Sequence, residues 1–192
     1  MVTTRNTRDD VVRAAGRLFA DRGYHGTSMR DLGKELGLLG SSLYSHVESK
    51  QDLLVEVVEE GGRLFGASAD FALATDGTAA DRLHALIRGH VDVVVDNIEV
   101  SRTFLNEARM LDEEHRRRVL AARDHYEEAF RSVLREGVDD GSFRDGLDPK
   151  TTAIFILSML NATERWYDPA GEIDRSALVD RLFEFTSSAV AV

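Results

Sequence analysis

Two short helices joined by a glycine-containing bend are predicted within residues 23–54, which read GYHGTSMRDLGKELGLLGSSLYSHVESKQDLL. Ser28 and Asp31 have the spacing of a capping box, in which a serine hydroxyl and an acidic side chain satisfy the first backbone N–H groups of a helix. Gly37 is expected to end this helix, because glycine readily adopts the left-handed conformation found at helix ends. After the bend, a third helix of barely two turns is predicted for residues 41–46.

A longer helix is predicted before this pair, from Arg8 to Arg22, with Thr7 as its N-cap. Two short helices that follow a supporting helix are typical of the helix-turn-helix motif, whose last helix lies in the major groove of DNA. Because many helical hairpins share this pattern, the arrangement alone does not establish DNA binding. The apolar face of the first helix consists of Val11, Ala14, Ala15, Leu18 and Phe19.

The remainder of the chain is predicted to be helical and more apolar. Strand patterns are absent at any useful length, and both prolines, Pro149 and Pro169, lie at predicted helix boundaries. The fold class is therefore all-α with about nine helices: a three-helix head, residues 1–48, on a larger helical body, residues 49–192, whose expected roles in effector binding and dimerisation are argued from its helices below. The helices expected in the body cover residues 49–71, 78–96, 99–110, 112–137, 149–167 and 174–190.

Composition excludes several classes of protein. The 192 residues include no cysteine, which rules out disulfides, thiolate zinc sites and cysteine nucleophiles. No apolar run is long enough for a transmembrane helix, and the first residues lack the apolar core of a signal peptide, so a cytoplasmic protein is expected.

The net charge is −10, yet residues 1–50 carry eight Lys and Arg against six Asp and Glu. A locally basic end on an acidic body is compatible with DNA held at that end.

The sequence from Gly23 to Leu54 resembles the helix-turn-helix of the tetracycline-repressor (TetR) family of transcriptional regulators. It departs from the family pattern at Gly33, where alanine is usual, at residues 39–41, where Ser-x-Gly is commoner, and at Val47, where phenylalanine is usual. These departures leave the base preference open. The resemblance implies a dimeric DNA-binding regulator that responds to a small molecule. The matching residues are Gly23, Thr27, Ser28, Leu32, Gly37, Leu38, Leu43, Tyr44, His46, Ser49, Lys50 and Leu53.

Nine residues form the predicted DNA-binding set. Thr27 and Ser28, at the start of the second helix, can offer hydroxyls and backbone N–H groups to a phosphate. Ser41 and Ser42 open the predicted recognition helix, where small polar side chains allow close approach to base edges. Lys50 can hold a backbone phosphate as a point charge. The other members are Leu39 and Gly40 in the bend, and Tyr44 and His46 toward the end of the recognition helix. For Tyr44 a position half in the core is the alternative, and for His46 a bond to a local carbonyl.

The last two predicted helices are suited to dimerisation. Residues 153–160 are apolar on nearly every side, unlike a surface helix. Two heads about 34–36 Å apart read a pseudo-palindromic operator, so a homodimer on double-stranded DNA is expected. A four-helix interface built from two copies would cover both helices, and burial within the monomer is the alternative. The over-wide apolar stripe of the last helix consists of Leu178, Val179, Leu182, Phe183, Phe185, Ala189 and Val190.

The middle helices are expected to hold a small hydrophobic effector, because an apolar pocket with a few polar groups is the general form of a small-molecule site. His90 is the polar exception on the apolar face of its predicted helix, and it is either a satisfied core residue or a ligand contact. The other candidate wall residues, each also open to a core role, are Phe65, Phe104, Met110, Tyr126, Asn161 and Trp166.

Two later elements resemble a branch of the TetR family in actinobacteria that controls lipid, steroid or acyl-CoA catabolism. They are the loop at residues 141–148 and the run RWYDPAG at residues 165–171. The resemblance implies an acyl-CoA or related hydrophobic acid as the effector, although no cluster of basic residues marks a site for the CoA phosphates. The matching residues are Gly141, Phe143, Arg144, Leu147, Asp148, Arg165, Trp166, Tyr167, Pro169 and Gly171.

Enzyme activity is not expected. The P-loop, G-x-G-x-x-G and H-E-x-x-H motifs are absent. His84 and His90 lie about 240° apart around a helix, so they do not converge on a metal. The sequence therefore predicts no catalytic residue, no metal ligand and no cofactor. Two alternatives to a repressor released by its ligand stay open: a ligand-responsive activator of the same fold, and a helical interaction module that does not bind DNA.

Overall fold

The computed structural model describes residues 7–38, 43–44 and 47–192. Those residues form eight α-helices and one 3₁₀ turn, with no β-strand among them. In chain order the helices are α1 (Arg8–Arg22), α2 (Met29–Leu36), α3 (Lys50–Leu73), α4 (Ala79–Asp96), α5 (Ile98–Asn106), α6 (Glu113–Asp139), α7 (Pro149–Trp166) and α8 (Arg175–Val190), and the 3₁₀ turn covers Ala108–Met110.

The all-α prediction is confirmed, with two differences of detail. The short helix predicted for residues 41–46 lies largely outside the described residues, which include only 43 and 44 of it. The single helix predicted for residues 99–110 is instead α5 followed by the separate 3₁₀ turn. Glu107 between them keeps a near-helical backbone, with φ −101° and ψ −6°. Hydrophobic periodicity does not detect so small a break.

Side-chain caps begin most of the helices, and the sequence identified several of them. Thr7 with Asp10 caps α1, and Ser28 with Asp31 caps α2, each pair as a reciprocal capping box. The Asp148 carboxylate accepts hydrogen bonds from the first backbone N–H groups of α7. Gly37 ends α2 in the left-handed conformation, with φ +64°, which an L-residue with a side chain adopts only under strain.

The helices divide into two compact units. The first contains the residues up to Gly62 together with Glu99–Leu120, and the second contains Arg63–Ile98 and Ala121–Val192. The boundary predicted at residue 48 was a division by function, whereas this one follows packing. In the first unit α3 and α5 approach closely, because a Cβ atom on Gly61 would lie 2.6 Å from Cβ of Phe104.

The second unit is built around α4, which packs against both α7 and α8. The loop before α7 is anchored to the end of α8. Phe143 pairs with Ala191 in an isolated antiparallel bridge, and the Arg144 N–H donates to the Val190 carbonyl over 2.9 Å. The Phe143 ring fills the space beside Gly137, where a Cβ would lie 2.1 Å from it. Phe143 and Arg144, which carry part of the resemblance to the lipid branch, therefore have a structural role here.

No helix among the described residues is long and apolar enough to cross a membrane. No group of three or more His, Asp or Glu side chains among them is arranged to hold a metal ion.

Candidate functional site

The first part of the site is the N-terminus of α2. Ser28 is exposed, and its backbone N–H donates to the Asp31 carboxylate over 2.9 Å, while its hydroxyl both donates to that carboxylate and accepts from the Asp31 N–H. These bonds from the Ser28 side chain and backbone lower the pKa of Asp31. Ser28 therefore lies where a phosphate can reach it, with its hydroxyl already engaged in the cap.

Thr27, the residue before it, is turned inward. Its side chain is buried, and its hydroxyl lies 3.1 Å from the Leu18 carbonyl and 3.0 Å from the Gly23 carbonyl, to which it donates. Its backbone N–H bonds to the Tyr24 carbonyl. These contacts fix the turn between α1 and α2. The structure therefore does not support the predicted phosphate contact from the Thr27 hydroxyl.

The predicted recognition helix is described only at Leu43 and Tyr44. Leu43 is fully buried, whereas the Tyr44 side chain is exposed, as a DNA-contacting tyrosine requires. The alternative that Tyr44 is half core does not describe this position. The other predicted contacts in this region, Leu39, Gly40, Ser41, Ser42 and His46, lie outside the described residues.

Lys50, at the first position of α3, is bound to the turn between α1 and α2. Its ammonium donates to the carbonyls of Tyr24 and Thr27, each over 2.8 Å, and lies 4.0 Å from the centre of the Tyr24 ring. Partial burial lowers the pKa of Lys50. An ammonium group has three donors, and two are used here. Lys50 thus joins α3 to the turn instead of extending freely toward DNA.

Tyr24 also contacts the segment that follows α5. Its hydroxyl donates to the Gln51 side-chain oxygen over 2.8 Å, and its backbone N–H donates to the Glu107 carboxylate over 3.2 Å. The Gln51 amide donates in turn to the Met110 carbonyl over 3.4 Å. We call Tyr24, Lys50, Gln51 and Glu107 the Tyr24 hub. Sequence reasoning missed the hub because its members are distant in the chain and belong to no recognisable motif.

Three of the predicted effector residues meet in the second unit. The Phe65 ring lies 5.0 Å from the His90 ring and 5.4 Å from the Tyr126 ring, measured between centroids. His90 Nδ1 and the Tyr126 hydroxyl oxygen are 3.2 Å apart, which is within hydrogen-bonding distance. We call Phe65, His90 and Tyr126 the aromatic–histidine cluster. α3, α4 and α6 each contribute one of its members.

His90 is the polar centre of this cluster. It is fully buried, and burial lowers its pKa to about 3, an effect that an interaction with the Leu160 backbone opposes. The imidazole is therefore neutral at neutral pH. Burial also raises the pKa of the Tyr126 hydroxyl, which stays protonated. Within the described part of the chain, His90 Nε2 has no hydrogen-bond partner.

The other predicted effector residues do not join the cluster. Phe104 and Met110 belong to the first unit, where Phe104 packs beside Gly61 and Met110 accepts its bond from Gln51. Asn161 is partly buried in α7. Trp166 is 54% exposed at the end of α7, and its ring contacts that of Tyr167 edge to face. The predicted wall is therefore divided between different parts of the structure.

Large apolar side chains are exposed on the last two helices. Phe155 on α7 is 69% exposed and Phe185 on α8 is 68% exposed, and Ile154 is also exposed. Around Phe185 the surface of α8 forms a shallow open groove with Arg181 and Glu184 along it. Exposed aromatic side chains on two helices of one unit are typical of a protein–protein contact.

Two models of protein families match the chain. Residues 11–57 match the description "Bacterial regulatory proteins, tetR family", and residues 76–190 match "Tetracyclin repressor-like, C-terminal domain". The second match alone covers more than half of the sequence.

Individual relatives agree with these matches. The HTH-type transcriptional repressor KstR2 of Mycolicibacterium smegmatis is 30% identical over 168 residues, which are 86% of this chain and 82% of that protein. The structure of the ketosteroid transcriptional regulator KstR2 of Mycobacterium tuberculosis superimposes with a TM-score of 0.91 at 22% identity, covering 100% of this chain and 97% of that one. The structure of AibR in complex with isovaleryl coenzyme A and operator DNA gives a TM-score of 0.84 at 23% identity, covering 93% and 96% of the two chains.

Proposed function

Because this chain belongs to the TetR family of bacterial transcriptional regulators, we propose that it is a repressor that a hydrophobic acyl-CoA, or a related lipid or steroid catabolite, releases from a pseudo-palindromic operator. The chain is a DNA-binding transcriptional regulator and not an enzyme. Members of the family bind operator DNA and small effectors, typically as dimers. The observation that carries the proposal is the match of residues 11–57 to the N-terminal domain of the family.

Operator contact is assigned to the head, residues 1–48, acting in the cytoplasm. Ser28 and Tyr44 support this assignment because both side chains are exposed at or after the start of α2. Ser41, Ser42 and His46, with Leu39 and Gly40 in the bend, complete the proposed DNA surface on the strength of the sequence motif. Thr27 and Lys50 support DNA binding indirectly, because their hydrogen bonds hold the turn that orients α2.

Dimerisation is assigned to α7 and α8 within the body, residues 49–192. Phe155 and Phe185 support this assignment, because covering each ring removes a large apolar area from water. A second copy of the chain presents the same two helices, and a two-fold contact then buries both sets together. The dimer supplies the two heads that a pseudo-palindrome requires.

The effector site is assigned to the aromatic–histidine cluster, with an acyl-CoA or a related lipid as its ligand. Apolar side chains around a few polar groups are the usual lining of a small-molecule site, and His90 beside Phe65 and Tyr126 fits that pattern. AibR, whose fold this chain shares, was solved with isovaleryl coenzyme A and operator DNA together. KstR2 is described as a ketosteroid transcriptional regulator, which supports a steroid-derived ligand as the second candidate class.

The test is operator binding with and without ligand. Duplexes from the promoter of the chain's own gene are titrated with purified protein, and a scrambled duplex of equal length is the control. Isovaleryl-CoA, palmitoyl-CoA and a steroid-ring acyl-CoA are then added, with free CoA as the ligand control. We expect operator affinity to fall about 5- to 150-fold with at least one acyl-CoA, and to stay unchanged with free CoA.

The other outcomes each contradict a separate part of the proposal. Equal affinity for operator and scrambled duplexes would contradict sequence-specific binding and favour the interaction module. Tighter operator binding with the effector would contradict release and favour the alternative in which DNA is held by the ligand-bound form. Failure of every acyl-CoA to change affinity would contradict the effector class alone.

A further inference from the structure

The imidazole of His90 is fully buried and uses only one of its two nitrogens. Nδ1 lies 3.2 Å from the Tyr126 hydroxyl, and Nε2 has no hydrogen-bond partner among the described residues. Buried polar groups in folded proteins nearly always have hydrogen-bond partners, because an unpaired group loses its bonds to water and gains none in the protein. The Leu160 backbone interacts with the ring and raises its pKa, but no described acceptor lies within hydrogen-bonding distance of Nε2, so a bound molecule can supply the missing partner.

The hydrogen bond to Tyr126 determines which nitrogen carries the proton. The Tyr126 hydroxyl is protonated and buried, so its hydrogen needs an acceptor, and Nδ1 is the acceptor within reach. If Nδ1 carried the ring proton instead, both the Tyr126 O–H and Nε2 would be left unpaired. The arrangement with fewer unpaired groups has Tyr126 donating to Nδ1 and the ring proton on Nε2. His90 then presents a neutral N–H donor.

A second buried polar atom lies close along the same pair of helices. The Ser68 hydroxyl oxygen is buried and has no partner in the part of the chain that the structure describes. Ser68 follows Phe65 by one helical turn on α3, and a Cβ on Gly89, the residue before His90, would lie 2.2 Å from that oxygen. The Ser68 hydroxyl is therefore an unpaired polar group where α3 meets α4, beside a position one residue from His90 along the chain of α4.

We propose that the Nε2–H of His90 donates a hydrogen bond to an uncharged oxygen of the effector, and that in an acyl-CoA this oxygen is the thioester carbonyl. The proposal rests on the effector class proposed above. A carbonyl oxygen matches a single neutral donor among apolar rings, because it accepts a hydrogen bond and carries no charge, so burying it costs far less than burying an ion. A free carboxylate does not match, since Phe65, His90 and Tyr126 contribute no positive charge to balance it.

The test compares ligands that differ only at that oxygen. Isovaleryl-CoA is paired with S-(3-methylbutyl)-CoA, and palmitoyl-CoA with S-hexadecyl-CoA. In each pair the thioether has a CH₂ group where the thioester has C=O. Binding is measured by calorimetry on the full-length protein, and the corresponding free acids form a third arm. We expect the wild-type protein to bind the thioester about tenfold more tightly than its thioether, and the free acid more weakly than the thioester.

Two substitutions at one position separate the donor from the packing. His90→Gln keeps an N–H donor near the position of Nε2, whereas His90→Leu fills the space without a donor. We expect the preference for thioester over thioether to persist in His90→Gln and to vanish in His90→Leu. Thermal unfolding of both variants checks their fold. If His90→Leu does not fold, Tyr126→Phe replaces it, because loss of the hydroxyl that holds the tautomer should reduce the same preference.

The possible results test two proposals separately: the hydrogen bond from His90 and the acyl-CoA class of effector. Equal binding of thioester and thioether by the wild-type protein, or a preference that survives in His90→Leu, would overturn the role of His90 and leave the proposed effector class standing. Free-acid binding as tight as that of the thioester would overturn the choice of an uncharged oxygen. If no acyl-CoA or thioether bound at all, the effector class itself would be wrong and the role of His90 would be overturned with it. In the ligand-free protein, ¹⁵N chemical shifts of the ring should place the proton on Nε2, and a proton on Nδ1 would contradict the proposal.

Discussion

At the residue scale, Lys50 illustrates how a cation in a DNA-binding head can serve structure. The sequence motif predicts a phosphate contact for it, and the structure directs its ammonium to the carbonyls of Tyr24 and Thr27 and to the Tyr24 ring. A charge held in this way stabilises the turn whether or not DNA is present. The two roles differ in their dependence on salt, because only a phosphate contact releases counterions.

Lys50→Met should weaken the head without changing the salt dependence of operator binding. Loss of the two bonds from the partly exposed ammonium is expected to lower the free energy of unfolding by about 1 to 2 kcal/mol. The slope of log K against log salt should equal that of the wild type. Lys34→Met, which removes an exposed charge from α2, is the control for charge loss alone. A slope shallower by about 0.9 in Lys50→Met only would mean that Lys50 contacts a phosphate.

His90 makes the stability of the folded protein depend on pH. Its pKa of about 3 in the folded state lies below the ordinary value of 6.5, so the unfolded chain takes up a proton first as the pH falls. The stabilising contribution is complete above pH 6.5 and is lost between there and pH 3. Between pH 8 and pH 5 the loss is about 2 kcal/mol.

Urea unfolding at several pH values measures this response. His90→Leu is the matched comparison, because it cannot titrate at that position. Its free energy of unfolding should fall less between pH 8 and pH 5 than that of the wild type, by about 2 kcal/mol. Parallel curves for the two proteins would show that His90 is protonated in the folded state within that range.

At the scale of helices, replacing either of two glycines of α3 with alanine is expected to change the free energy of unfolding, in opposite directions. A Cβ on Gly61 would lie 2.6 Å from Cβ of Phe104, whereas one on Gly66 would have no neighbour within 4 Å. Gly61→Ala should therefore lower the free energy of unfolding by about 1 to 3 kcal/mol through overpacking. Gly66→Ala should raise it by about 0.5 to 1 kcal/mol, because alanine favours the helix.

Thermal or urea unfolding of these two variants tests how closely α3 approaches α5. Because both substitutions add one methyl group to the same helix, a general effect of helix propensity would move both proteins in the same direction. Stabilisation of Gly61→Ala would mean that α3 and α5 are further apart than described here.

The helices themselves were largely predictable, and their long-range bonds were not. Thr7, Ser28 and Asp148 act within three residues of a helix start, so spacing alone identified them as caps. The contact of Tyr24 with Glu107 spans 83 residues, and no local pattern encodes it. The break at Glu107 was missed for a related reason, since its backbone remains near the helical region.

At the scale of the whole molecule, exposed aromatic residues lead to a prediction about assembly. Phe185→Glu should weaken the proposed dimer roughly 1,000-fold, because each dimer loses two buried rings and gains two charges. Sedimentation equilibrium at micromolar concentration should then find monomers, and operator affinity should fall with them. Phe71→Glu changes a phenylalanine on α3 that is somewhat more exposed than Phe185, and it serves as the control.

Retention of the dimer in Phe185→Glu would place the interface on another surface of the molecule. Loss of the dimer in both variants would instead indicate general destabilisation. Operator binding at full affinity by a monomeric protein would contradict the need for two heads.

The candidate effector site was partly predictable from the sequence. Phe65, His90 and Tyr126 were named from their residue types on predicted helix faces, and the structure brings them together. Trp166 was named on the same basis and is exposed at a helix end. Residue type and periodicity identify apolar faces, but they do not say which faces meet, because that depends on how the helices cross.

Trp166 has a practical consequence as the single tryptophan of the chain. More than half of its side chain is open to solvent at the end of α7, so its fluorescence emission in the free protein belongs at the red end of the usual range. Anything that covers this helix end would shift the emission toward the blue. The protein therefore carries an intrinsic optical reporter at one defined point, which needs no attached dye.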